Sequence, residues 1–224
     1  MEHFALFMEQ SKKEKKNNKR YLFIVIGIFL ILVGIFVIGY REYSNNKNKL
    51  VEQEKIELFF EEEVNDPIEE PKQEEKQEEP PKQVEPKKEI NYVAILEIPK
   101  INLKKGLVDK NSKDNNVDKN IYTLKESTFP NDENNSHIIL ASHSGNSYIS
   151  FFKNLKKLSL GDKVNLYYQN TKYEYEIKKK YEIEKTGTMT LNQTDTSDIT
   201  LVTCISGTNK QLVFIAQLVN ENSY

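Results

Sequence analysis

Residues 21–40 form an unbroken run in which every side chain is apolar, aromatic or glycine, with no charge anywhere inside it. At about 1.5 Å per residue, a helix of that length is about 30 Å long, the thickness of the hydrocarbon core of a bilayer. Core helices of soluble proteins seldom carry so long an uninterrupted run. Tyr21 and Tyr40 bound it, as suits side chains that sit at membrane–water interfaces. A cleaved signal peptide would have a similar outline, with the basic stretch before the run as its n-region. The run is longer than an ordinary h-region, however, and no small-x-small cleavage pattern follows it. The sequence therefore predicts a retained transmembrane helix.

Lys12, Lys13, Lys15, Lys16, Lys19 and Arg20 precede the span, whereas only Arg41, Lys47 and Lys49 follow it closely. The excess of cations on the N-terminal side places residues 1–20 in the cytoplasm as a basic tail and everything after Tyr40 outside.

Two kinds of sequence follow the span. Residues 41–60 contain neither glycine nor proline and can extend the helix as a polar stalk. Residues 61–90 hold eleven glutamates and five of the seven prolines, with almost no large apolar side chains. Such a stretch cannot bury enough surface to offset its ordering entropy, so 41–90 reads as stalk and then disordered, semi-extended linker.

Residues 91–224 have the composition of a folded domain. Short β-rich runs at 92–98, 101–108, 137–142, 163–168, 172–183, 199–203 and 211–219 alternate with polar turn clusters. Residues 169–171 suggest a tight hairpin and Gly161-Asp162 a turn. Tyr148, Phe151, Phe152, Leu155 and Leu158 recur at three- and four-residue spacing, which predicts one helix over 147–158. Many short strands with little helix argue for a mainly β fold, a small closed or nearly closed barrel.

The charge distribution excludes some functions. The net charge of −2 conceals a basic N-terminal run and an acidic middle, and no basic stripe interleaved with aromatics occurs in the folded part, so nucleic acid is not an expected partner. With one cysteine, no intramolecular disulfide can form, and no Cys/His cluster has metal-ligand spacing. The acidic residues within 109–118 are expected to be a solvated turn rather than a calcium site. No cofactor is expected.

Cys204 follows an apolar strand in "DITLVTCISG", and His143 follows another in "IILASHSGN". A side chain at a strand end is held by rigid scaffold yet reachable from solvent. A thiol and an imidazole so placed suit acyl transfer, in which thiolate attacks a carbonyl and imidazolium protonates the leaving amine. A lone cysteine is more often packed as a small hydrophobe, and a lone histidine at a strand end is more often structural.

At these residues the chain resembles the sortases. "TLVTC", ending at Cys204, is similar to the TLxTC signature of that family, and "LASHSGN" is similar to the segment that carries its histidine. "AILEIPKINLKKGL" resembles the family's opening strands and "FFKNLKKLSLGDKV" its helix and following turn. The resemblance implies an eight-stranded β-barrel with short helices, behind an N-terminal transmembrane helix. It also implies transpeptidation of a C-terminal sorting motif of LPxTG type on surface-protein substrates. Cys204 would attack the carbonyl before the scissile bond, and His143 would protonate the departing amine. The thioacyl enzyme would pass its acyl group to an amine of a cell-wall precursor or a pilin lysine. Thr203 matches the family's threonine next to the nucleophile, where it would line the substrate site.

One position departs from the pattern. Sortases carry an arginine on the strand after the cysteine, and "NKQLVFIAQLV" contains none. Matching its apolar run to the family's puts Gln211 at that position, where the amide can donate a hydrogen bond but brings no charge. Strand alternation points Lys210 to the opposite face. Two other outcomes stay open: a membrane-anchored cysteine hydrolase, and a sortase-like binding module with impaired chemistry.

Overall fold

A computed structural model describes residues 2–64, 92–130, 135–186 and 196–224. It divides into two compact units, Met1–Val51 and Glu52–Tyr224.

The first unit is helical. A single helix, α1 (Glu2–Val64), contains the apolar run, whose side chains are exposed and which is long and apolar enough to cross a membrane. The helix continues without a break through the polar segment that follows, where no glycine or proline stops it. Beyond Val64, the linker residues expected to be disordered lie outside the described residues.

The second unit is an eight-stranded sheet: β1 (Tyr92–Ile98), β2 (Leu103–Val108), β3 (Tyr122–Thr123), β4 (His137–Ala141), β5 (Lys163–Tyr168), β6 (Thr171–Glu184), β7 (Asp198–Cys204) and β8 (Lys210–Ser223). Their order is β2-β1-β5-β6-β8-β7-β4-β3, and the edge strands β2 and β3 approach each other, so the sheet curls into a nearly closed barrel. Every pairing is antiparallel except β4 with β7.

Alternation along the strands fills the interior. Ala94, Leu96 and Ile98 of β1, Ile138 and Leu140 of β4, Ile199 and Leu201 of β7, and Leu212, Phe214 and Ala216 of β8 belong to one core cluster. Each large apolar side chain taken fully out of water there contributes about 1.5–3 kcal/mol.

Local chemistry sets the strand ends. Pro99, with φ fixed and no N–H to give, starts a single 3-10 turn at Pro99–Ile101. Asn102, in the left-handed region, closes the turn with its N–H on the Pro99 carbonyl at 3.0 Å. The second strand therefore begins at Leu103 rather than at residue 101. Gln169 and Asn170 both have positive φ, 48° and 56°, which gives the β5–β6 hairpin the backbone twist of a two-residue turn.

The helix expected over 147–158 does not form. That stretch is a series of turns ending in one 3-10 turn, Leu155–Lys157. Phe152, Leu155 and Leu158 are fully buried and lie three residues apart, the repeat of a 3-10 helix, while Tyr148 stays 67% exposed. Ile56 and Phe59, on the last turns of α1, are buried against Ile95 of β1.

Candidate active site

The parallel pair β4–β7 brings two strand ends to the same rim of the barrel. Its register runs from His137 beside Asp198 to Ala141 beside Val202. One further rung extends it: the Ser142 N–H donates to the Val202 carbonyl at 3.3 Å. The Thr203 hydroxyl closes the same end from inside, donating to the Ser142 carbonyl at 2.8 Å. Thr203 is buried, so its hydroxyl fastens two strands together.

Cys204 is the last residue of β7 and the only one on that strand that is not buried. Ile199 and Leu201 point into the core, so Thr200, Val202 and Cys204 share the outer face. On β4, Ile138 and Leu140 point inward, and His143 follows the end of the strand by two residues, just past the Ser142 rung that reaches Val202.

Gln211 completes this face. β7 and β8 are antiparallel, and Gln211 stands directly opposite Cys204 in the register. Cross-strand partners lie about 4.5–5.5 Å apart at Cβ on the same side of a sheet. Lys210 belongs to the other face and pairs with Glu182 at 3.2 Å. The β7–β8 connection is short: the Ile205 N–H donates to the Lys210 carbonyl at 2.9 Å, and Gly207, with φ of 79°, supplies the left-handed turn residue.

The imidazole of His143 has a partner that the sequence reading did not single out. Its Nε2 lies 3.2 Å from Asp118 Oδ1, on the loop between β2 and β3. His143 is 42% exposed and Asp118 81% exposed, so solvent screens the pair and its worth is small. Twenty-five residues separate them in sequence, and the antiparallel pairing of β3 with β4, Tyr122 beside Ala141, brings the end of that loop alongside His143. The backbone of His143 is held as well, its carbonyl accepting the Phe152 N–H at 3.2 Å.

The acidic loop uses its carboxylates one by one. Asp109 accepts the Asn111 N–H at 2.7 Å, Asp114 pairs with Lys119 at 2.7 Å, and Asp118 faces His143. Among the described residues, no three His, Cys, Asp or Glu side chains converge as a metal site would require.

A thiol at the end of β7, a carboxamide opposite it on β8 and an imidazole just past the end of β4 thus lie at one rim of three adjacent strands. These are side-chain types able to serve as nucleophile, neutral hydrogen-bond donor and proton donor, the set that acyl transfer needs.

Comparison with known proteins bears on this arrangement. The sortase domain family matches residues 96–219. A sortase D5 transpeptidase of Clostridium perfringens is 24% identical, with a TM-score of 0.50 over 58% of this chain and 79% of that one. Sortase A of Listeria monocytogenes is 20% identical, with a TM-score of 0.51 over 60% of this chain and 91% of that one. Sortase C1 of Streptococcus agalactiae is 25% identical, with a TM-score of 0.51 over 58% and 68% of the two chains. No curated protein matches the sequence.

Proposed function

The chain belongs to the sortase family, and from that membership we propose that it is a membrane-anchored cysteine transpeptidase acting on surface proteins with an LPxTG-like sorting motif. The observation that carries the proposal is the shared rim: Cys204 ends β7, His143 lies two residues past the end of the parallel neighbour β4, and Gln211 stands across from the cysteine.

The steps follow from the groups present. The Cys204 thiolate attacks the carbonyl carbon before the scissile bond, forming a C–S bond and a tetrahedral oxyanion. The Gln211 amide donates to that oxyanion. Collapse breaks the C–N bond as the protonated His143 imidazole gives its proton to the departing amine, leaving a thioester on Cys204 and a neutral imidazole. An incoming amine then loses its proton to His143, attacks the thioester and expels the thiolate, which restores the starting state. Thr203 serves this site by tying the ends of β4 and β7 together through its hydroxyl.

Gln211 sets a lower ceiling than an arginine would. Removing an oxyanion donor altogether costs on the order of 10² to 10³ in rate, and exchanging a charged donor for a neutral one costs less. The cation excess before the apolar run supports a cytoplasmic N-terminus with the barrel outside, where both sorted proteins and cell-wall or pilin amines are found.

The missing arginine favours one second reading, a sortase-like binding module with impaired chemistry. Supplying peptide and amine separates the two: a transpeptidase yields a Cys204-dependent peptide–amine conjugate that rises with amine concentration, whereas an impaired module binds peptide without forming it.

A further inference from the structure

Glu52 of α1 is held by three groups on β1 and β2. Its carboxylate accepts hydrogen bonds from the Tyr92 hydroxyl at 2.7 Å and the Gly106 N–H at 3.0 Å, and it pairs with the ammonium of Lys105. The last turns of α1 add apolar contact, with Ile56 and Phe59 buried on Ile95 and the Phe60 ring edge-on to Tyr167 and Tyr224 at 5.2 and 5.4 Å. The end of the stalk helix is therefore an integral part of the barrel unit.

Lys105 transmits the contact further. Its ammonium sits 5.6 Å from the centre of the Tyr92 ring on one side and 5.1 Å from that of Phe151 on the other. Phe151 precedes Phe152, which is fully buried and whose N–H holds the His143 carbonyl. Glu52, Lys105, Phe151 and the backbone of His143 thus form one continuous line of contacts. Burial alone would pull the Lys105 ammonium toward deprotonation, and the Glu52 carboxylate opposes this, while Lys55 works with the burial.

We propose that Glu52 is a positioning residue: by fixing the Lys105 ammonium against Phe151, the end of the stalk helix sets the conformation of the loop that holds His143. The stalk is then an adjustable part of the reactive rim as well as a spacer, and displacement of the helix from the barrel alters the imidazole before it alters the barrel core. The functional consequence rests on the role proposed above for His143, but the conformational claim does not.

The test uses the full-length chain in detergent with 13C-labelled histidine rings, so that no sorting motif is needed. His137, at the other end of β4, serves as the internal control. Glu52→Gln is expected to shift the His143 ring signals and leave those of His137 in place, and Lys105→Met, which keeps the apolar stem, is expected to do the same. Each substitution lowers the thermal midpoint, by about 10 °C for a partner lost from a largely buried pair, and the double variant falls no further than the worse single one. Phe151→Leu abolishes the effect of Glu52→Gln on His143. The proposal is overturned by unchanged His143 signals in both single variants, by additive midpoints, or by a Glu52→Gln shift that survives Phe151→Leu. None of these outcomes depends on whether the chain transfers acyl groups.

Discussion

Gly106→Ala is a small change with a large expected effect. A Cβ at position 106 would lie 2.2–2.4 Å from three atoms of the Tyr92 ring, closer than side chains approach one another. The nearest atoms include the ring's root, so the ring cannot merely flex at its tip; it must leave. Tyr92 then gives up its hydrogen bond to the Glu52 carboxylate. Forcing a methyl group into a filled site costs about 1–3 kcal/mol. Losing a hydrogen bond to a charged acceptor costs about 1.5–3 kcal/mol. A total of about 3 kcal/mol corresponds to a midpoint lower by about 6–12 °C for a unit of this size. Thermal unfolding followed by circular dichroism, with Tyr92→Ala and the double variant alongside, measures it. With the ring already gone, Gly106→Ala is expected to be nearly neutral. A Gly106→Ala variant melting within about 1 °C of the parent would refute the packing argument, as would an equal loss in the Tyr92→Ala background.

Other perturbations address the rim and the far end of β4. Gln211→Ala is expected to lower kcat/KM by a factor on the order of 10² to 10³, while Lys210→Ala, which removes only an exposed ion pair, lowers it less than about fivefold; the reverse ranking would contradict the register. Asp118→Asn is expected to cost less than about fivefold in turnover, because the carboxylate it removes is largely solvated, and a loss beyond 10²-fold would make Asp118 essential. Burial holds the His137 imidazole below its ordinary pKa, with Asp198 opposing it. The unfolded chain therefore takes up the proton first as pH falls, so this contribution to stability is present above about pH 6.5 and lost progressively below it. His137→Asn should flatten the fall in thermal midpoint between about pH 7 and 5, and an unchanged slope would remove His137 as its source.

Much of the barrel was legible in the sequence because its strands alternate cleanly. The run at 92–98 coincides with β1, and the run at 199–203 falls within β7, which also takes in Asp198 and Cys204, since apolar β-branched side chains and a following polar turn leave little freedom. Matching its apolar run to the family's singles out Gln211, and the register of β7 and β8 sets it opposite Cys204. The 147–158 stretch misled because three- and four-residue spacings look helical, whereas the buried trio Phe152, Leu155 and Leu158 follows a period of three. β3, with two residues, is too short to produce a pattern. The contact of Asp118 with His143 and the seat of Glu52 on Lys105 depend on chain segments far apart in sequence, so no local pattern encodes them. A signal for the helix docking did exist: Ile56, Phe59 and Phe60 recur at helical spacing inside an otherwise polar stalk.

The resemblance supplied what periodicity does not, the assignment of roles to Cys204 and His143. Its membership of the family is shown across residues 96–219, while the chemistry of this chain rests on three side chains whose placement fits it.

The measurement closest to the central claim is the intact mass of the full-length protein after incubation with a panel of LPxTG-like peptides, beside Cys204→Ala. The account predicts a mass increase equal to the N-terminal acyl fragment of one peptide, absent from Cys204→Ala and discharged when an amine is added. A panel of cleaved peptides with no adduct on Cys204, or an adduct that persists in Cys204→Ala, would contradict it.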